Sequence, residues 1–293
     1  MAEPAGQPEE RIRDVLGAAR ARLSESGIET ANLDARVLLE FALSRSQSWL
    51  YANPDYRIAG ADLARFDALL VRREQRQPVS QIVGCREFWS LSFQVTRDVL
   101  TPRPDSEALI EAVLEEMPDR AVPVRILDLG TGSGCLLLTL LSEYGAATGV
   151  GVDVSSAALQ VAARNGQQLG LDARVDWVLG QWNTKFDADF DVVISNPPYI
   201  ETGAIAGLDR DVADYEPYLA LDGGGDGLDA YREILTHVGD VLHESGLLVF
   251  EIGQGQADAV TALAHGVGLD LRAARHDLSG ITRALVFGTS TKA

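Results

Sequence analysis

The 293-residue sequence predicts an α/β fold: a mostly parallel sheet with helices on both faces, one antiparallel strand, and a small N-terminal helical domain. Three observations predict it. From residue 124 onward, short apolar or β-branched runs alternate with helical patterns at the spacing of repeated strand–helix units. The first 84 residues show helical periodicity. A glycine-rich turn, Gly130-Thr131-Gly132-Ser133-Gly134, follows the first strand of the alternating region and opens a helix, which is where open α/β sheets bind ligands.

Each element has its own signal. Residues 11–26 carry Ile12, Val15, Leu16, Ala19 and Leu23 at helical spacing, and Gly27 ends the run. Residues 32–43 repeat the pattern with Leu33, Val37, Leu38 and Phe41, and residues 61–75 with Leu63, Phe66, Leu69 and Leu70. These helices pack on one another as a domain of residues 1–84. Residues 87–95 are aromatic and β-branched, which suits a hairpin, so 85–97 is read as a linker to a second domain of residues 98–293. Pro102 and Pro104 hold an extended segment ahead of a helix at 109–117. Strands follow at 124–129, 147–154, 173–180 and 190–196, with helices at 135–144 and 157–169. The chain closes with a helix at 228–243, a strand at 246–253, a helix at 256–267, and strands at 271–275 and 283–288. No helix separates the last two strands, so one of them runs antiparallel.

Composition narrows the function. At 46% hydrophobic and 23% charged residues the chain is a folded globular protein, and disorder, collagen and coiled coil are excluded. It holds 25 Lys and Arg against 43 Asp and Glu, a net charge of −18, which repels phosphate backbones over most of the surface. Direct nucleic-acid binding is therefore not expected. Cys85 and Cys135 form no CxxC motif and no disulfide framework, the N-terminal stretch lacks the apolar core of a signal peptide, and no apolar run reaches membrane-spanning length. A cytoplasmic location, away from membranes, is the expectation. His237, His243, His265 and His276 stand singly, without metal-ligand spacing, so no metal is expected.

The glycine turn reads GxGxG. Cys135 stands where the dinucleotide fingerprint needs Gly or Ala, and no GK[ST] follows, so a ligand without phosphates fits better. Asp153 ends the second strand about twenty residues later, where a carboxylate accepts from ribose hydroxyls. Together they suggest a nucleoside with a non-phosphate tail, of which S-adenosylmethionine is the common case. The plainer reading is a tight turn, with Asp153 capping the next helix. Asn196-Pro197-Pro198-Tyr199 follows an apolar strand and so lies at the same rim of the sheet. Two prolines stiffen the turn, and the Asn196 side chain with the Asn196 and Pro197 carbonyls presents acceptors to a group with two N–H bonds. Tyr199 offers a flat face to a planar group. An amide or an exocyclic aryl amine matches. Accepting both of its hydrogens favours pyramidal nitrogen and stabilises the positive charge that develops there during attack on an electrophile.

Residues 130–134, Asp153 and 196–199 together resemble the class I S-adenosylmethionine-dependent methyltransferases that modify amino nitrogen. Arg86-Glu87-Phe88-Trp89, Thr101-Pro102-Arg103-Pro104-Asp105-Ser106-Glu107 and Leu221-Asp222-Gly223-Gly224 narrow the resemblance to the HemK/PrmC peptide chain release factor glutamine methyltransferases, over nearly the whole chain. The resemblance implies a Rossmann-like sheet behind an N-terminal substrate-recognition domain, and methylation of a glutamine in the GGQ motif of class 1 release factors by a monomer. It implies that Asp128, Gly130, Thr131, Gly132, Ser133 and Gly134 bind the cofactor around its methionine part, that Asp153 holds the ribose, and that Trp182 lies against the adenine. It assigns Asn196, Pro197 and Tyr199 to catalysis, with Asn196 also touching the cofactor. Asn196, Pro197, Pro198 and Tyr199 hold the glutamine amide, and Arg103, Pro104 and Glu107 border the substrate channel. Relatives carry an aspartate just before the tryptophan, where this chain has Gln181. Plainer roles are open for Phe88 and Trp89, as hairpin packing, and for Arg103, as a partner of Glu107 or another acid. The competing functions are glutamine methylation of a ribosomal protein, adenine methylation of nucleic acid, and a non-catalytic nucleoside-binding regulator.

Overall fold

The computed structural model describes residues 9–187, 189–277 and 279–289. They form two compact units: one runs up to Gly84 and adds Asp209–Tyr215, and the other comprises Cys85–Leu208 and the chain from Glu216 onward.

The first unit contains β1 (Glu10–Arg11), α1 (Ile12–Glu25), α2 (Ala31–Leu43), α3 (Gln47–Ala52), β2 (Arg57–Ile58), α4 (Gly60–Glu74) and α5 (Val79–Val83). Its core gathers Ile12, Val15, Ala19 and Leu23 of α1, Leu38 and Leu39 of α2, and Phe66, Leu69 and Leu70 of α4. On α2 the buried face is Ala31, Asp34, Ala35, Leu38, Leu39 and Ala42, while Leu33 and Phe41, expected inside, are exposed. A charged residue on the inward face hides that face from a hydrophobicity count. Arg73 makes it tolerable: its guanidinium meets Asp34 at 2.7 Å with both side chains buried, and Thr30 adds a hydroxyl at 2.9 Å.

Residues 209–215, which the sequence reading assigned to the second domain, pack in this first unit, where they form α9 (Arg210–Ala213). Arg73 also meets Asp211 at 2.7 Å, and the Tyr215 hydroxyl donates to the Gln75 carbonyl at 2.7 Å.

The second unit opens with a hairpin, β3 (Cys85–Phe88) and β4 (Leu91–Gln94). Trp89 and Ser90 both have positive φ, 52° and 60°, as a two-residue type I′ turn requires. Then come α6 (Glu107–Glu116), β5 (Arg125–Leu129), α7 (Cys135–Glu143), β6 (Thr148–Asp153), α8 (Ser156–Gln168), β7 (Val175–Leu179), β8 (Phe190–Ser195), α10 (Asp229–His237), β9 (Leu242–Glu251), α11 (Ala257–Gly266), β10 (Leu269–His276) and β11 (Thr282–Thr289). The seven strands from β5 onward lie in the order β10-β11-β9-β8-β5-β6-β7. β11 is antiparallel to both neighbours, and the pairs from β9 to β7 are parallel. Strand alternation divides the core. Ile126, Val192 and Val249 face α6 and α7, and Leu127, Val193 and Phe250 face α10 and α11.

The helix expected over 228–243 stops at His237, and β9 begins at Leu242. A 3₁₀ turn at Val238–Asp240, containing Gly239, intervenes, and β9 slips register between Leu242 and Leu247.

The hairpin is held in the second unit by Phe88 and Phe93, which enter its core, and by a buried asparagine. Asn165 of α8 accepts from the Gln94 N–H at 2.7 Å and donates to the carbonyls of Gln94 at 3.1 Å and Ser133 at 2.9 Å. One side chain thus ties β4, α8 and the glycine turn. Asn165→Ala orphans these backbone groups and is expected to cost about 2–3 kcal/mol, read from urea unfolding. An unchanged midpoint would show that the clamp adds nothing.

Candidate active site

β5 lies between β6 and β8, so its carboxyl end is where strand order reverses. The glycine turn leaves β5, Asp153 ends β6 and the proline turn leaves β8, all at one rim. The N–H groups of Gly130 and Thr131 both donate to the Val152 carbonyl at 2.9 Å. Gly134 donates to Thr131 at 2.8 Å and starts α7, and the Ser133 side chain is buried. Gly130 has φ 72°, and a Cβ there would meet the Trp182 ring at 2.9 Å, so Trp182 lies against the turn itself. Gly132 has φ 54°, yet a Cβ there would meet nothing nearer than 4.0 Å, so the tip of the turn borders open space.

Two carboxylates hold this turn. Asp153 accepts from the Gly132 N–H at 2.9 Å and from the Ser155 N–H at 2.8 Å, while Ser155 caps α8 by accepting from Ala158. Asp153 is therefore free of the capping duty. Burial raises its carboxyl above the usual range, and hydrogen bonds from Ser155 and Gly132 pull against that. Asp128 is buried. One oxygen accepts from the Thr131 hydroxyl at 2.6 Å, and the other has no hydrogen-bond partner among the described residues. Burial pushes its carboxyl up to about 7, opposed by Thr131 and aided by the charge of Asp153. Gln181 is exposed beside Trp182.

The proline turn is braced on several sides. The Ser195 hydroxyl donates to the Leu129 carbonyl at 2.7 Å, joining β8 to β5 just ahead of Asn196. Pro197 is buried and Pro198 half-buried. Gln256 donates to the carbonyls of Tyr199 at 3.0 Å and Gly227 at 3.2 Å. Ile200 exchanges backbone hydrogen bonds with Leu221 and Gly223, so the Leu-Asp-Gly-Gly stretch backs the turn. Asn196 Nδ2 donates to Ser106 Oγ at 3.3 Å, Ser106 donates to Glu251 at 2.5 Å, and the Tyr199 hydroxyl donates to the same carboxylate at 3.4 Å. Burial pushes Glu251 up to about 7, against the pull of Ser106, Arg283 and Tyr199.

The segment ahead of α6 divides its contacts among several partners. Arg103 pairs with the buried carboxylate of Glu216 at 2.7 Å, not with Glu107. Pro104 begins the 3₁₀ turn that ends at Ser106. Glu107 accepts from the Trp89 N–H at 2.9 Å and so anchors the hairpin turn, while the Trp89 indole donates to Glu143 at 2.7 Å and Phe88 is buried. Sequence reasoning missed Glu251, Ser106 and Gln256. Glu251 had a visible signal: an acid closing the apolar run Leu247–Phe250 at the rim where Asp153 closes β6. Among the described residues no cluster of His, Cys, Asp and Glu could hold a metal ion, and no helix is long and apolar enough to cross a membrane.

Asp128 and Glu251 bind protons more tightly folded than unfolded, so stability is fullest at low pH and is lost as pH rises towards about 7. Between roughly pH 5.5 and pH 8 the unfolding free energy read from urea titrations is expected to fall, by on the order of 1–3 kcal/mol per group and with it the midpoint, and Asp128→Asn or Glu251→Gln should flatten the slope. A midpoint that climbs over this range in the wild type would refute the assignment.

Comparison with known proteins bears on this geometry. The PrmC N-terminal domain family matches residues 14–84, and the methyltransferase small domain family matches residues 105–211. The catalytic domain of hMettl16 superposes with a TM-score of 0.58 at 16% identity, over 73% of this chain and 82% of its own. A methyltransferase from Pyrococcus furiosus gives 0.50 at 13% identity, over 77% and 98%. These likenesses show the class I methyltransferase fold. The release factor glutamine methyltransferase of Caulobacter vibrioides is 43% identical over 86% of this chain and 87% of its own length, and that of Cereibacter sphaeroides 45% identical over 93% and 96%. Identity at that level, through both matched domains and nearly end to end, goes beyond a shared fold, and this chain belongs to the release factor glutamine methyltransferase family.

Proposed function

We propose that this protein methylates the side-chain amide nitrogen of a glutamine in a translation release factor, using S-adenosylmethionine; its relatives are named release factor glutamine methyltransferases. The observation that carries the reading is the stiff Asn-Pro-Pro-Tyr turn, fastened by Ser195 to the strand that bears the glycine turn. The chain's residues fit the cofactor. A buried carboxylate, Asp128, keeps one oxygen for a cationic partner, Asp153 stands at a strand end suited to a ribose, and the space beside Gly132 is open. Gly130, Thr131, Ser133, Gly134 and Trp182 complete that side. Bound, the cofactor supplies an electrophilic methyl group on a cationic sulfur.

The chain's work is on the amide. Asn196 Oδ1 and the Pro197 carbonyl accept its two N–H bonds, which withdraws the nitrogen lone pair from resonance and stabilises developing positive charge. Tyr199 packs against the planar group, Pro198 keeps the turn rigid, and the surplus proton leaves to water. Arg103, Pro104 and Glu107 border the approach, with Arg103 set by Glu216. The first unit recognises the release factor. The protein works as a monomer in the cytoplasm without binding nucleic acid directly, in keeping with a net charge of −18.

Incubation of purified release factor with enzyme and cofactor should add the mass of one methyl group to a single glutamine in peptide mass spectra. Label appearing instead on ribosomal protein or nucleic acid would overturn the reading. Asn196→Ala is expected to lower turnover about a hundred- to a thousandfold while cofactor affinity changes little. Near-wild-type single-turnover rates would remove the turn from the chemistry. A cation beside Asp128 favours its ionised form, so cofactor binding near pH 7 should release protons. Calorimetry in buffers of different ionisation enthalpy detects that release, and Asp128→Asn should abolish it.

A further inference from the structure

We infer that Glu251 is a positioning residue for the amide-accepting turn: acting through Ser106, it fixes which way round the Asn196 side-chain amide stands. A serine hydroxyl carries one proton, and an ionised carboxylate only accepts. Ser106 gives its proton to Glu251 Oε2 at 2.5 Å, so its oxygen is left as an acceptor, and Asn196 Nδ2 donates into it at 3.3 Å. Asn196 Oδ1 is thereby the atom left for the substrate N–H. Tyr199 donates its own hydroxyl to Oε1 of the same carboxylate at 3.4 Å, so both side chains of the turn take their orientation from one acid.

The relay has a sign. A protonated Glu251 becomes a donor to Ser106, the serine hydroxyl turns to donate to Asn196, and the flipped amide offers Nδ2 to a substrate that also brings N–H bonds. Donor then faces donor. The groups around Glu251 are Asp105 and Ser106 ahead of α6, Cys135 of α7, Tyr199 of the turn, Tyr231 of α10, whose hydroxyl donates to the Glu251 backbone carbonyl at 2.8 Å, and Arg283 of β11. Arg283 is itself shared with Asp105 at 3.2 Å and Asp277 at 2.9 Å. Burial places the Glu251 transition at about 7, so ordinary changes of pH would operate the relay.

Glu251→Gln, whose amide can donate to Ser106 at any pH, imitates the protonated acid permanently. In the wild type, kcat for release factor methylation should fall as pH drops below about 7, approaching tenfold per unit. In Glu251→Gln it should be roughly ten- to a hundredfold low and flat across that range, with KM and cofactor affinity close to wild type. Ser106→Ala should show the same loss in kcat, and it carries the comparison if Glu251→Gln does not fold. A second readout needs no methyl acceptor: the side-chain amide resonances of Asn196, assigned by their absence in Asn196→Ala, should titrate near pH 7 in the wild type and not in Glu251→Gln. Glu251's role rests on the amide-methylation reading, yet the two fail differently. A wild type that modifies no release factor glutamine refutes the reading and leaves the resonance titration to decide Glu251. A wild-type kcat profile in Glu251→Gln, a resonance titration that persists there and so belongs to Asp128, or a parallel loss of kcat and cofactor affinity would each overturn the relay.

Discussion

The parallel register of β5 between β6 and β8 is the constraint on which the site depends. Leu129 lies opposite Val152 on one side and Ser195 on the other. Because strand ends in a parallel sheet advance together, that pairing brings the glycine turn, Asp153 and Asn196 to one rim although they are spread over more than sixty residues of sequence. The hydrogen bonds at the rim finish the alignment: Val152 holds the start of the glycine turn, and Ser195 reaches across to Leu129. A one-residue slip of β8 would send Asn196 to the opposite face of the sheet. Bonds at the two ends of the strand oppose that slip: Ser195 donates to the Leu129 carbonyl, and Asp191 accepts from the Arg125 N–H at 2.8 Å.

Much of this was legible in the sequence because it is local. The seven strands, the two motif turns and Asp153 are announced by runs of a few residues, and the missing helix between β10 and β11 announced the reversed strand. What escaped is what depends on distant partners. Asp34 lies inside because Arg73, thirty-nine residues away, neutralises it, and its burial turned α2 so that Leu33 and Phe41 face outward. Ser106 and Glu251 are 145 residues apart, and nothing local in either segment announces that the two meet. Glu107 sat inside a recognised motif, and nothing in that motif told that one oxygen of its carboxylate also anchors the hairpin backbone. A motif shows which residues matter together, not which of them faces a substrate.

Two acids, Asp128 near the end of β5 and Glu251 at the end of β9, are buried within one sheet, and both hold their protons more tightly than exposed carboxyls do. Neither is a structural necessity for a strand otherwise built from Ile126, Leu127, Val249 and Phe250. Apolar residues in their places would suit the core better. The two differ in how they are satisfied: one oxygen of Asp128 has no hydrogen-bond partner among the described residues, whereas the Glu251 carboxylate receives two hydroxyls.

The excursion of residues 209–215 into the first unit makes that unit discontinuous in sequence. Arg73 meets Asp34 and Asp211, acids separated by most of the chain that precedes α10. A ribosome making this protein therefore delivers the helical unit early but withholds its last piece until the glycine turn, Asp153 and the proline turn have all been synthesised. Until then Arg73 has one of its two acids, and Gln75 and Gln81 lack Tyr215. The N-terminal unit is thus completed only after the central strands of the other unit exist, and a truncation at Gly84, natural as it looks in the sequence, would leave it unfinished.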